Sequence, residues 1–325
     1  MFSYRTLLKQ AWDITWRHKY LWFLGLFSAL VAGSGSWEYQ IITQNFQSVV
    51  DGSYYRLNDI LVISTLLTNF YHGLINLFHY DFLTILNALS LLILAATVFI
   101  FLIWLAVTSQ ASLIGDIKKI AFSKKKDLKL SLRDSLTAGH QHFWSVLGLD
   151  ILIKVLIALV FFIISLPLLF LALQDSSALA IIYTILFVIF VPISMGLSLM
   201  TNYIIAYRVL DNKSLVASLE NGGRLFKNNW LISLEMGVIL FIISFIASGL
   251  ILAIIAIFLL PLLLLGVFLS LGWLIVLMMF LAIAVIITGG AALTTFQVAT
   301  WTGLFLRLKD KGALAKLERI FTKQS

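Results

Sequence analysis

The chain has 325 residues, of which 61% are hydrophobic and only 12% charged, and its mean hydropathy is +1.02. That balance excludes an ordinary soluble globular protein, and the absence of cysteine removes disulfides, thiolate catalysis and cysteine metal sites together. The formal net charge of +8 invites a nucleic-acid partner, but the basic residues flank hydrophobic runs, where membrane topology accounts for them and no nucleic acid is expected.

A bilayer core about 30 Å thick takes roughly 20 apolar residues per helix, and several runs reach that length. With only 3 prolines the runs can remain helical. A transmembrane β-barrel would instead alternate apolar and polar residues in short strands. The expected class is therefore all-α, a polytopic helical membrane protein.

Residues 1–19 place Tyr4, Leu8, Ala11, Trp12 and Thr15 on one helical face and Arg5, Lys9, Asp13 and Arg17 on the other. This predicts an interfacial amphipathic helix anchored by Trp12 and Trp16. The apolar run from Tyr20 to Ala32 is short for a span. A secretory signal cut near Val31-Ala32-Gly33 is one reading, but a long amphipathic leader containing Asp13 does not suit a signal peptide. An uncleaved anchor is expected instead. Residues 33–81 are polar and aromatic, and Leu57, Ile60, Leu61, Leu67, Tyr71, Leu74, Ile75 and Phe78 form a stripe that predicts a second surface helix on the opposite side of the membrane. Further spans are expected at about Phe82–Ser109, Val146–Leu173, Ala178–Tyr203, Leu231–Leu259 and Leu271–Leu306, the fifth ending at Leu260-Pro261.

A pattern repeats between these spans. Ser131, Leu132, Ser135, Leu136 and Gly139 correspond to Ser214, Leu215, Ser218, Leu219 and Gly222, and Trp144 takes the part of Trp230. The N-terminus offers a looser third copy, with Trp16-Arg17-His18-Lys19-Tyr20 against Phe226-Lys227-Asn228-Asn229-Trp230. Six spans then form three parallel repeats of interfacial helix plus helix pair, about 1–115, 116–210 and 211–325, within a single membrane domain 1–325. Parallel repeats imply a pseudo-threefold axis along the membrane normal, unlike inverted transporter repeats.

Charge orients this scheme. Segments 1–19, 110–145, 204–230 and 307–325 hold 4, 7, 4 and 6 of the 23 Lys and Arg residues, and six spans place all four segments on one side. The positive-inside rule makes that side, with both termini, cytoplasmic in a cell membrane.

Three ionisable residues fall within spans: Asp150, Lys154 and Glu235. Charges there are costly and usually face protein or a hydrated cavity. Asp150 and Lys154 are spaced to pair on one helix, and the bland reading is a self-neutralising pair near the interface. The sharper one is a polar substrate pocket. Each return span carries an amide near its cytoplasmic end, Gln110, Asn202 and Gln297. Local helix-to-helix hydrogen bonding is the ordinary role for such groups. Convergence of the three on a shared polar site is the alternative.

His140, His142, His72 and His79 lack the spacing and the supporting carboxylate of a metal centre, so neither metal nor cofactor is expected. No phosphate loop, nucleophile elbow or zinc-protease motif is present. Gly222-Gly223 is read as permitting a bend in its amphipathic helix. Lys124-Lys125-Lys126 is a topology signal that also attracts anionic lipid headgroups.

The pattern of amphipathic helix, basic and amide-rich corner, Trp and long span is best carried by YRVLDNKSLVASLENGGRLFKNNWLISL, Tyr207 to Leu234. It resembles the bacterial membrane-domain family found attached to some glycerophosphodiester phosphodiesterases and related domains of unknown function. The resemblance covers the last two repeats and implies a multi-spanning helical membrane domain. No soluble catalytic domain accompanies the spans in this sequence, so no phosphodiesterase activity or functional residue is carried over. Two functions follow as expectations. One is a non-enzymatic envelope protein that binds membrane lipids or a partner protein, with Trp12, Trp16, Trp144 and Trp230 as interfacial anchors. The other is a transporter or permease-like component that uses Gln110, Asp150, Lys154, Asn202, Glu235 and Gln297.

Overall fold

In the computed structural model, residues 4–32, 68, 82–122, 131–172 and 178–311 are described. The surface helix expected over residues 57–79 therefore lies almost entirely outside the described residues. All described elements are helical: α1 (Tyr4–Arg17), α2 (Tyr20–Ala32), α3 (Phe82–Phe122), α4 (Leu132–His140), α5 (Phe143–Ala172), α6 (Ala178–Asp211), α7 (Leu215–Asn228), α8 (Trp230–Ile254), a π-helical turn (Ile255–Leu259), α9 (Leu260–Phe268) and α10 (Gly272–Lys311). In lipid only a helix or a closed barrel satisfies its own backbone, so a chain this apolar is driven to helices.

Five helical stretches are long and apolar enough to cross a membrane: Leu83–Phe122, Phe143–Val160, Val188–Asp211, Trp230–Phe268 and Gly272–Lys309. They make the chain a multi-pass membrane protein. The sixth expected span, α2, has 13 described residues, or about 20 Å of rise, short of the roughly 30 Å hydrocarbon core. Several of the others run longer than expected. α3 does not stop near Ser109 but continues for 41 residues to Phe122, since Lys118 and Lys119 project from a helix that stays packed. Pro261 does not end the fifth span either. It sits in the first turn of α9, where its missing N–H costs no helical bond, directly after the π turn.

The chain divides into two compact units, residues 1–33, 105–153 and 196–325, and residues 34–104 and 154–195. The second carries the first half of α3, with Leu83, Leu91, Leu92, Phe99 and Ile100 exposed, as a lipid-facing surface requires.

The first unit contains a packed core drawn from six helices: Leu7 and Ala11, Leu21 and Leu24, Leu113 and Ile117, Tyr203 and Tyr207, Ile232 and Met236, and Phe296, Leu304 and Phe305. α6 and α10 run parallel through three contacts four residues apart on each helix. The ring of Tyr203 meets Trp301 and that of Tyr207 meets Phe305, 6.1 and 4.8 Å between centroids, and Asp211 pairs with Lys309 at 2.7 Å. α8 runs antiparallel to α10, with Ser244 bonded to Gln297 and Ile251 against Gly289. α2 is also antiparallel to α10, where Gly25 approaches Ala291 and the Thr295 hydroxyl donates to the Leu21 carbonyl at 3.1 Å. Beyond this core α8, the π turn, α9 and α10 expose Phe241, Phe245, Phe258, Phe268 and Phe280.

Three short helices close one end of the unit, α4 and α7 by small buried residues and α1 by Leu7, Ala11 and Ile14. α4 lies on α3, where Gly139 meets Ser112 and the Thr108 carbonyl. α7 lies on α6, where Gly222 meets the Ile204 backbone and side chain. α1 lies on α10, where Leu7 fills the space above Gly303. Gly222 is thus a point of close approach within an unbroken helix rather than the bend expected from the sequence. α7 spans Leu215–Asn228 without interruption, capped by Ser214, whose hydroxyl accepts from the Ala217 amide.

Candidate functional site

The polar residues of the first unit collect at this closed end, and most of them tie helices together. The Tyr4 hydroxyl donates to Glu235 Oε2, joining α1 to α8. Arg307 Nη1 and Nη2 donate to Thr6 Oγ1 and Gln10 Oε1, each at 3.1 Å, joining α10 to α1. Lys118 Nζ caps the carbonyl of Leu210 at 2.8 Å, joining α3 to α6, a favourable use of a cation at a helix C-terminus. Arg208 Nη2 donates to Ser145 Oγ at 2.8 Å and its other arm to the Lys213 carbonyl. Lys213 in turn lies 4.7 Å over the Tyr207 ring.

His142 follows α4, its amide donating to the Gly139 carbonyl at 3.0 Å. Burial lowers its pKa from the usual 6.5, and the Arg208 guanidinium lowers it further. The imidazole is therefore neutral at pH 7, and its buried Nδ1 has no hydrogen-bond partner among the described residues.

The three amides singled out by sequence occupy different environments. Gln297 donates to Ser244 Oγ at 2.7 Å, an ordinary bond between α10 and α8. Gln110 is buried on α3, and its Oε1 has no partner among the described residues. Asn202 is half-buried on α6. Gln110 lies two residues before Ser112, which meets Gly139, and Asn202 two before Ile204, which meets Gly222. Those two amides therefore hold equivalent positions relative to their amphipathic helices. Asp150 is buried in the first unit, and Lys154 belongs to the second. The four tryptophans expected as anchors are exposed, Trp144 by 79%, and Trp12, Trp16 and Trp22 meet in series, tilted and then edge to face, with centroids 5.4 and 5.2 Å apart.

Sequence reasoning passed over Asp116. It falls in segment 110–145, beyond the span expected at about Phe82–Ser109, and drew no reading of its own. The structure buries it on α3 beside Tyr20 of α2 and Ser135 of α4. Its i, i+4, i+8 spacing with Thr108 and Ser112 was the available signal. Among the described residues no cluster of three or more histidines and carboxylates could hold a metal ion. Comparison with protein-family models, curated proteins and solved structures finds no match.

Proposed function

We propose that the protein is a non-enzymatic integral membrane scaffold of the cell membrane that binds anionic lipid headgroups at its closed, basic end. The observation that carries this reading is the docking of three short helices, α4 and α7 by small-residue faces and α1 by an apolar one, which leaves tryptophans and cations outward. α1 buries Leu7 and Ala11, α4 buries Ser135 and Gly139, and α7 buries Ser218 and Gly222. Each rests on a long apolar helix that runs into the closed end: α10, α3 and α6. That equivalence supports three parallel units arranged cyclically, each interfacial helix covering the return span of the unit before it.

Exposed Arg5, Lys9, Arg17, Lys19, Arg133 and Lys227 occupy the same helices and corners as exposed Trp12, Trp16, Trp144 and Trp230. Aromatic rings at headgroup level flanked by basic side chains are the chemistry of an interfacial collar. Each cation near an anionic surface contributes about 1 kcal/mol. With six crossings this end and both termini are cytoplasmic. The permease reading has less support, because Gln297 and Glu235 are engaged in local bonds to Ser244 and Tyr4.

Two measurements test the proposal. Because the chain lacks cysteine, Ser53→Cys and Lys125→Cys can be labelled without background, and they should react from opposite faces of the membrane. Native mass spectrometry of the detergent-solubilised protein should show anionic lipid retained over zwitterionic lipid. That preference should fall when Arg5, Lys9 and Lys227 are changed together to Gln. Same-side labelling would remove the topology, and equal retention of both lipid classes would remove the headgroup function.

A further inference from the structure

Where α2, α3 and α4 meet, the protein buries a carboxylate that its own side chains leave half satisfied. Asp116 is 1% exposed. Its Oδ1 faces Lys119 Nζ at 3.6 Å, well beyond the roughly 2.7–2.9 Å of a charge-assisted hydrogen bond. The Lys119 side chain is 51% exposed, so most of its charge is answered by water. Asp116 Oδ2 has no hydrogen-bond partner among the described residues, and neither has the buried hydroxyl of Tyr20. The phenol and the carboxylate lie close enough for a long, weak hydrogen-bonding contact, outside ordinary hydrogen-bond geometry. Ser135 is the third neighbour. Its hydroxyl donates to the Ser131 carbonyl at 3.0 Å, which leaves its lone pairs available.

A second observation comes from α3 above the carboxylate. Thr97, Thr201, Ser244, Thr294 and Thr300 each turn their hydroxyl back onto the carbonyl four residues earlier. Thr108 and Ser109 do not, and both hydroxyls are buried with no partner among the described residues. Thr108, Ser112 and Asp116 form one stripe, and α4 covers it with Gly139 at one end and Ser135 at the other. The junction itself gathers a carboxylate oxygen and a phenol without partners beside the Ser135 hydroxyl, while Thr108 and Ser109 lie about 10–12 Å further along α3. Buried polar atoms are almost always satisfied, and an unpaired buried carboxylate is especially costly.

We propose that this junction binds a monovalent alkali cation, with Asp116 Oδ2, Tyr20 Oη and Ser135 Oγ as ligands and water completing the shell. The donor set is all oxygen, which suits a hard cation. A single carboxylate matches one positive charge, whereas divalent sites gather more acidic ligands. Lys119 yields to the ion at little cost, because its ammonium is already half in water.

The test uses the full chain in detergent. Thermal unfolding is followed by intrinsic fluorescence in N-methyl-D-glucamine chloride, which is then exchanged for NaCl or KCl at constant ionic strength. Sodium or potassium should raise Tm saturably. Asp116→Asn should abolish the ion response while leaving the ion-free protein at least as stable as wild type. Tyr20→Phe, which keeps the ring, should weaken the apparent ion affinity about tenfold, and exposed Asp13→Asn should leave it unchanged. Equal Tm in all three salts, or an ion response that survives Asp116→Asn and Tyr20→Phe, would overturn the proposal. So would a Tm that follows pH through Asp116 and ignores the cation, because the carboxylate would then carry a proton instead.

Discussion

Replacing Gly222 by Ala is the most direct probe of how the amphipathic helices are seated. A Cβ built there would lie 2.6 Å from Ile204 Cγ1 and 2.9 Å from the Ile204 Cα and N. The side-chain atom can rotate away, but the backbone atoms cannot, so α7 must lift from α6. Overpacking of this kind costs about 1–3 kcal/mol, against a helix-propensity gain for Gly→Ala of about 1 kcal/mol. Gly223 lies one residue further on the same helix, where a Cβ would meet only Met200 Sδ at 3.6 Å, an ordinary contact. Gly223→Ala collects the propensity gain alone. The two neighbouring substitutions should therefore differ by about 1–3 kcal/mol, with Gly222→Ala the less stable. For a chain this long that is roughly 1–2 °C of Tm per kcal/mol, readable by tryptophan fluorescence on heating in detergent. If Gly222→Ala unfolds at or above the temperature of Gly223→Ala, then α7 is not held against α6 by the missing side chain.

Two further outcomes follow from the same end of the molecule. The pKa of His142 is lowered in the folded state, so between its folded value and the unfolded value near 6.5 the unfolded chain binds more protons. Stability should be complete above that window and decline as pH falls through it. Wild type should lose more Tm between pH 7.5 and pH 5 than His142→Asn does, and parallel losses would show that the imidazole does not contribute. A double-mutant cycle between Gln297→Leu and Ser244→Ala should yield a coupling of about 0.6–1.7 kcal/mol, the range for interhelical bonds in membranes, whereas additivity would mean that the α8–α10 bond does not form.

Much of the architecture was legible because lipid leaves the backbone few choices. Long apolar runs must become helices wherever they are found, so spans expected from about Val146 and Leu231 fall within α5, which begins at Phe143, and α8, which begins at Trp230. The matched pairs Ser135 with Ser218 and Gly139 with Gly222 were also visible, since repetition is a property of the sequence. All four are buried, Ser135 and Gly139 on α4 and Ser218 and Gly222 on α7. Gln297 donates to Ser244, a partner that the pattern of neither segment identified.

The choice of partners was decided in three dimensions. A helix apolar on every side carries no periodicity to say which face meets protein and which meets lipid. Hence the register of α6 along α10, through Tyr203, Tyr207 and Asp211, had no signature in either segment. Tyr4 and Glu235 lie 231 residues apart, and only the closing of α1 over α8 brings them together. Gly222 looked like a flexible point because glycine favours bends; the Ile204 backbone beneath it turned the same residue into a contact. Asp116 falls outside the span expected from hydropathy, but α3 runs on and α2 and α4 cover it. Local pattern dictates that a segment is helical and roughly where it begins, whereas burial is set by neighbours distant in the chain, and those neighbours turn a charged residue at the edge of a span into a buried carboxylate.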